Sequence, residues 1–225
     1  MFETKGAMFF SSAHSALIAL LGLMNTSLVN SIQKILSPTL DYHEGPIGKT
    51  PVSLPESQRV NELAESNISL SKTDWDSYEV SWDFTDFPLI RYHAPDAILA
   101  QTYESWKTEC NEHFYQLKAN EEELNRIFAE IYHMEDEVPI EVPLDKVSVH
   151  IVFDSEDDVP DELKGGSFVR TKADEVKSLI SYAVGCIMGR YSLDKPGLVL
   201  ANQGDGLSEY LQQVPNPSFV PDEDG

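Results

Sequence analysis

The stretch 174–191 constrains the fold most, because Val176, Leu179, Ile180, Ala183, Val184, Ile187, Met188 and Tyr191 recur at spacings of three and four. Apolar residues at that period line one side of an α-helix, and a helix of this kind buries that side against a neighbour. The same period runs through 96–132, where Ile98, Tyr103 and Trp106 precede Phe114, Leu117, Leu124, Phe128 and Ile131. This predicts one long helix or two in succession, with Glu121, Glu122 and Glu123 on the outer side. A third signal spans 11–36: Leu17, Leu20, Leu21 and Met24, then Leu28, Val29, Ile32, Ile35 and Leu36, with Asn25 and Ser27 as capping residues between the two sets. It predicts a helix, a short break and a second helix. Within 174–191, Ser181, Gly185 and Gly189 lie four apart, which favours close approach of another backbone through helix packing.

The rest is less regular. Pro38, Pro46, Pro51 and two glycines punctuate 37–54, which reads as an irregular loop. Val60, Leu63, Ile68 and Leu70 in 55–71 suggest a short helix or linker. In 72–89, Trp75, Tyr78, Trp82, Phe84 and Phe87 alternate with acids, which suits a segment strapped to a core by its rings. Nucleic-acid stacking surfaces pair aromatics with cations instead. Val147, Val149, Ile151 and Phe153 alternate as in a strand, whereas Pro139 and Pro143 confine the run from Val138 to Leu144 to an edge or extended loop. An acidic, glycine-bearing loop follows at 154–167. The predicted fold is therefore mainly α with a small β element: a helical hairpin followed by an acidic helical scaffold.

Charge narrows the function classes. The chain carries 38 acidic and 16 basic residues, a net −22, which repels phosphate backbones and argues against an isolated DNA binder. The acids are uneven: 1–54 holds three acidic and three basic residues, whereas 121–162 holds fifteen and two. Cys110 and Cys186 are far apart and lie in helical stretches, so they read as reduced, buried thiols of a cytoplasmic protein rather than a disulfide framework or zinc site. The apolar run at 16–24 is too short to span a bilayer, which needs about 20 residues. No membrane association is expected.

Short chemical patterns are weak. Pro95-Asp96 with Glu162 and Lys164, or with Glu175 and Lys177, could be sought as a metal-dependent nuclease, but no strand carries both halves. Glu109 and His113 share a helix face without a third ligand. His14, His43, His93, His133 and His150 have no patterned partners, and no Gly-x-Ser-x-Gly elbow occurs.

Four longer strings, in order, resemble the PglX family of BREX phage-defence systems, adenine-specific DNA methyltransferases akin to single-chain restriction-modification enzymes. Leu36-Ser-Pro-Thr-Leu-Asp-Tyr with Gly45-Pro-Ile-Gly-Lys-Thr-Pro51 is similar to the segment closing the family's target-recognition region. Ser71-Lys-Thr-Asp-Trp-Asp-Ser-Tyr-Glu-Val-Ser-Trp-Asp-Phe84 resembles its Asp-Trp-Asp-Ser to Trp-Asp-Phe stretch. Leu117-Lys-Ala-Asn-Glu-Glu-Glu-Leu-Asn-Arg-Ile-Phe128, with Glu137-Val-Pro-Ile-Glu-Val142, is similar to its Leu-Lys-x-Asn-Glu-Glu-Glu-Leu-Asn run and sequel. Ile180-Ser-Tyr-Ala-Val-Gly-Cys-Ile-Met-Gly-Arg-Tyr-Ser-Leu-Asp194 resembles its Ser-Tyr-Ala-Val-Gly-Cys run. His133-Met134 stands where the family usually has Gly-Leu, and Asp41-Tyr-His-Glu-Gly45 replaces a less acidic turn.

The resemblance implies, for a complete enzyme, S-adenosylmethionine as cofactor, adenine N6 in DNA as substrate, and the other methyltransferase domains and BREX proteins as partners. The catalytic motif itself has no counterpart here. The nearest string, Asn216-Pro217-Ser218-Phe219, lacks the second proline and follows no strand, and Gly204 and Gly206 have no preceding apolar strand to form a nucleoside-binding turn. No catalytic, cofactor or metal residue is assigned. Lys34, Lys49 and Arg91 are the conceivable phosphate contacts. The expected organisation is 1–54 as the end of a target-recognition region, 55–95 as a linker with an aromatic strap, and 96–225 as an acidic helical scaffold. From Gly204 onward the chain reads as a loop without a natural finish, as in a detached, non-catalytic piece of such an enzyme. The competing class is a stand-alone acidic interaction protein, with 121–162 as a DNA-mimicking or partner-binding surface.

Overall fold

A computed structural model describes residues 8–37, 44–55, 57–91 and 98–221. In chain order the elements are α1 (His14–Met24), α2 (Ser27–Leu36), α3 (Glu44–Ile47), α4 (Gln58–Asp76), α5 (Pro88–Arg91), α6 (Leu99–Tyr132), β1 (Ile151–Phe153), β2 (Val169–Thr171), α7 (Lys172–Ile187) and α8 (Leu207–Gln213). The fold is mainly α with a small β element, as the periodicities predict. Long-range packing divides the chain into two compact units, Met1–Leu70 with Tyr115–Val147 and Ser71–Phe114 with Ser148–Gly225. Each unit joins non-consecutive stretches, and α4 and α6 contribute residues to both, whereas the sequence reading divides the chain consecutively at 54 and 95.

In the first unit, the break after α1 is made by three polar side chains. Asn25 donates to the Leu21 carbonyl at 2.9 Å, which closes α1. Thr26, rather than Ser27, is the N-cap of α2: its hydroxyl accepts from the Val29 N–H and donates to the Leu23 carbonyl. Ser27 instead reaches the Pro139 carbonyl. The break bends the α1–α2 pair by 71°, and among the described residues no single helix is long and apolar enough to cross a membrane. Leu23, Leu28, Val60, Leu63, Leu124 and Phe128 form the core of this unit. The 55–71 segment is therefore largely core-forming helix rather than linker, since Val60, Leu63 and Ala64 on α4 are almost fully buried.

α6 is one helix of 34 residues. Its C-terminus closes with His133 in the left-handed region, φ 55°, while Met134 N–H reaches the Ala129 carbonyl and His133 N–H the Glu130 carbonyl. This is the Schellman arrangement, usually completed by glycine. The Val138–Leu144 run forms no strand. Its backbone is held by side chains, with Asn125 donating to Ile140 O at 3.0 Å and Glu122 accepting from Val142 N–H at 3.1 Å.

In the second unit, β1 and β2 pair in parallel with Ile151 opposite Val169. The predicted strand through Val147 is shortened because the partner strand offers only three residues, although Val147, Val149 and Ile151 keep the buried alternation. The acidic loop between the strands contains turns at Glu156–Asp158 and Asp161–Leu163, and it is pinned by buried Val159 and Leu163. α7 starts at a capping box in which Asp174 accepts from the Thr171 N–H at 3.0 Å. It ends in a second Schellman arrangement, with Gly189 at φ 75° and the Arg190 N–H reaching Gly185 O. The core of this unit is aromatic: Tyr78, Phe84, Phe87, Tyr103, Trp106 and Tyr182 lead it.

α7 departs from its predicted role in one respect. Leu179, Tyr182 and Cys186 pack against the core, but Val176, Ile180, Val184, Ile187 and Met188 are 41–58% exposed. The helix is apolar on two sides, and a spacing of three and four is equally compatible with either side turning inward.

Candidate functional site

A buried polar network occupies the second unit. Glu175, at the start of α7, is fully buried; its carboxylate accepts from the Trp106 indole N–H at 3.0 Å and from the Arg170 guanidinium. Arg170 also donates to Ser178 Oγ at 2.7 Å and the Asp174 carbonyl at 3.2 Å, and it stacks over the Tyr78 ring at 4.5 Å. Tyr78 in turn lies 4.6 Å from the His150 ring, whose Nδ1 meets Asp74 at 2.9 Å. The His150 backbone N–H donates to the same carboxylate at 3.0 Å.

A buried carboxylate is tolerated only when paired and hydrogen-bonded, and here both Glu175 oxygens are engaged. The network therefore holds α4, α6, β2 and α7 in register, with its charges turned on one another. Burial pushes the Cys110 and Cys186 thiols upward, so both stay protonated and poorly nucleophilic. The Tyr78 hydroxyl, also pushed up by burial, has no hydrogen-bond partner among the described residues.

Two strings of the family resemblance, 71–84 and 180–194, meet in this packing. From the 71–84 string come Asp74, which holds His150; Glu79, which accepts from Ser181 at 2.6 Å; and Phe84, which meets Tyr182 and Tyr191 edge-on at 5.9 and 5.4 Å. Ser181, Tyr182 and Tyr191 belong to the 180–194 string. Gly185 of the same string faces the Tyr191 ring so closely that a Cβ would stand 2.6 Å from it. In the first unit, the 117–128 string does comparable work. Asn120 bonds Ser66 and Asn67, Glu122 pairs with Lys118, and Asn125 accepts from Ser27 N–H at 2.9 Å. Glu121, expected on the outer side, is instead pushed up to about 7 by burial, with Glu122 beside it as the lesser cause.

The other predicted residues scatter. Lys34, in the last turn of α2, and Lys49, after α3, are exposed and adjoin Gln33 and Thr50, which hydrogen-bond each other. Arg91 belongs to the other unit and pairs with Asp86 at 2.9 Å. His150 gains the partner that its sequence surroundings do not suggest, because Asp74 lies 76 positions away. Glu175 of one nuclease pattern is fixed in the buried network, and Pro95, Asp96, His43 and His93 lie outside the described residues. Glu109 and His113 lie one turn apart on α6, and no group of three metal-ligating side chains forms among the described residues. Asn216–Phe219 is loop, tethered where Ser218 N–H and hydroxyl both donate to Asp194 at 2.6 Å. Gly206 is the N-cap of α8, its N–H donating to Glu209, so the stretch from Gly204 onward, read from the sequence as loop, contains a short helix.

Around Glu79 and Ser181 the surface of the second unit is grooved. One groove of about 620 Å³ is lined by Val184, Met188, Leu198 and Leu200; a neighbour of about 560 Å³ is lined by Trp75, Val80, Phe168 and Arg170. Glu79 and Ser181 line both.

No protein-family model matches the chain. It is 36% identical over 219 residues to the adenine-specific methyltransferase PglX of Lacticaseibacillus casei (strain Zhang), an alignment covering 96% of this chain and 17% of that protein. It is 30% identical over 228 residues to the adenine-specific methyltransferase BrxX of Escherichia coli O9:H4 (strain HS), covering 100% of this chain and 18% of that protein. The chain thus spans less than a fifth of the length of these curated relatives. From end to end, it is similar to one segment of the PglX and BrxX adenine-specific methyltransferases.

Proposed function

We propose that this chain corresponds to a non-catalytic segment of a PglX-type adenine-specific DNA methyltransferase of a BREX phage-defence system, and that it scaffolds the catalytic and target-recognition parts. The observation that carries this reading is the distribution of the similarity: it runs the whole length of the chain, and its strings supply packing and hydrogen bonds. In a complete enzyme, acting in the cytoplasm, S-adenosylmethionine would provide the methyl group and adenine N6 in DNA would receive it. Asn216–Phe219, the nearest approach to the motif that grips the adenine amino group, is a tethered loop without the second proline.

DNA contact by Lys34, Lys49 and Arg91 is proposed only within that complete enzyme. A net charge of −22 opposes a duplex, and Arg91 is already paired with Asp86. Calorimetric titration of the 225-residue chain with S-adenosylmethionine tests the non-catalytic assignment. The expected result is heat of dilution alone. A saturable isotherm at one site per chain would overturn it.

A further inference from the structure

We propose that the apolar face around Glu79 and Ser181 in the second unit is a docking surface, and that its occupant is the remaining polypeptide of a PglX-type methyltransferase. The inference rests on the kinship proposed above and adds the place of contact. Trp82 is 95% exposed, Val80 68%, Met188 57% and Trp75 56%, all in one compact unit. Continuity follows from the grooves: Glu79 and Ser181 line two of them, and Glu79, Arg190 and Leu198 line a third that reaches Val80 and Trp82. Exposed tryptophan, valine and methionine gathered along connected grooves, with polar residues between them and in a chain otherwise dominated by acids, match the aromatic and methionine enrichment of interfaces.

Three observations select the occupant. The matched relatives devote over four fifths of their length to polypeptide outside this segment, so a covering partner is available in the same molecule. A second copy is disfavoured because each chain carries −22. Nucleic acid is disfavoured because Glu79 lines all three grooves, and the cations beside it are already engaged: Arg170 with Glu175, Lys177 with Asp174, and Arg190 over the Tyr191 ring.

The test is co-expression of the tagged 225-residue chain with the Lacticaseibacillus casei relative lacking its aligned segment, followed by purification on the tag. Wild type is compared with the combined Trp82→Ala and Met188→Glu variant. Both positions are exposed, so the free variant should keep the wild-type helical spectrum and melting curve. The expected result is a one-to-one complex with wild type and affinity at least about 30-fold weaker with the variant, as for loss of an interface hot spot. In the wild-type complex, hydroxyl-radical labelling of Trp75, Trp82 and Met188 should fall relative to the free chain.

Equal complex formation by both proteins, with unchanged labelling, would overturn the docking face while leaving the kinship intact. No complex with wild type would overturn both the docking face and the proposed scaffolding role, leaving the sequence similarity as it stands. A wild-type homodimer lost in the variant would assign the face to a second copy, and variant-sensitive duplex binding would assign it to DNA; either contradicts the proposal.

Discussion

Asn125 illustrates how much of the first unit depends on single polar side chains. It is almost fully buried on α6, accepts from Ser27 N–H at 2.9 Å and donates to Ile140 O at 3.0 Å. Asn125→Leu keeps the volume roughly constant but strands two backbone groups, and each unmet buried partner costs about 1–3 kcal/mol. Chemical denaturation should show a lower midpoint by about 2–4 kcal/mol of stability, with an unchanged slope. Glu121 gives the pH counterpart. Burial raises its carboxyl from 4.5 to about 7, so folding favours the protonated form. Its stabilising contribution is complete below about pH 4.5 and is lost as pH rises through 7. Glu121→Gln should therefore match wild type near pH 4 and exceed it by about 2 kcal/mol at pH 8, read from melts at both values. Neither role is visible in the sequence. Glu121 lies on the side that periodicity assigns to solvent, Asn125 follows in the same polar run, and the partners of Asn125 lie on other segments of the chain.

Elements were more legible, because helices announce themselves locally. The periods in 11–36, 96–132 and 174–191 all correspond to helices, and the long α6 continues without a break. What spacing cannot supply is which side of α7 faces inward, since the helix carries apolar residues on both. It also understates α4, whose buried Val60, Leu63 and Ala64 are embedded among polar residues. Helix ends offer a test at this scale. His133 takes the left-handed conformation at the end of α6, at a cost of roughly 1–2 kcal/mol for a residue with a Cβ. His133→Gly should therefore stabilise the protein by about 1 kcal/mol in urea titration, after allowing for the freer unfolded chain. Gly189→Ala should act oppositely, because φ is 75° and the added Cβ would stand 2.8 Å from Leu200 Cδ1. If both changes proved neutral, the closure assigned to these helix ends would be wrong.

At the scale of the whole molecule, the candidate site changed character. The short patterns that read as weak in the sequence have structural roles instead: Glu175 is a buried packing carboxylate and Ser218 is a loop tether. The long strings proved informative in another way: Glu79 of one meets Ser181 of another, 102 positions apart, and Phe84 meets Tyr182 and Tyr191. Their pairing was illegible from the sequence because each string gives its own local pattern but not its partner. The same limitation hides the interleaved units and the His150–Asp74 contact. The proposed scaffolding and docking role draws its support from such contacts, together with similarity that runs the length of the chain.

The most direct measurement is therefore transfer of a radiolabelled methyl group from S-adenosylmethionine to adenine in duplex DNA, with the purified 225-residue chain and the intact Lacticaseibacillus casei relative assayed side by side. Under the proposed non-catalytic role, label is expected in DNA with the relative on a duplex containing its target, and none above background with this chain on any duplex. N6-methyladenine formed by this chain alone, at a rate proportional to its concentration, would contradict it.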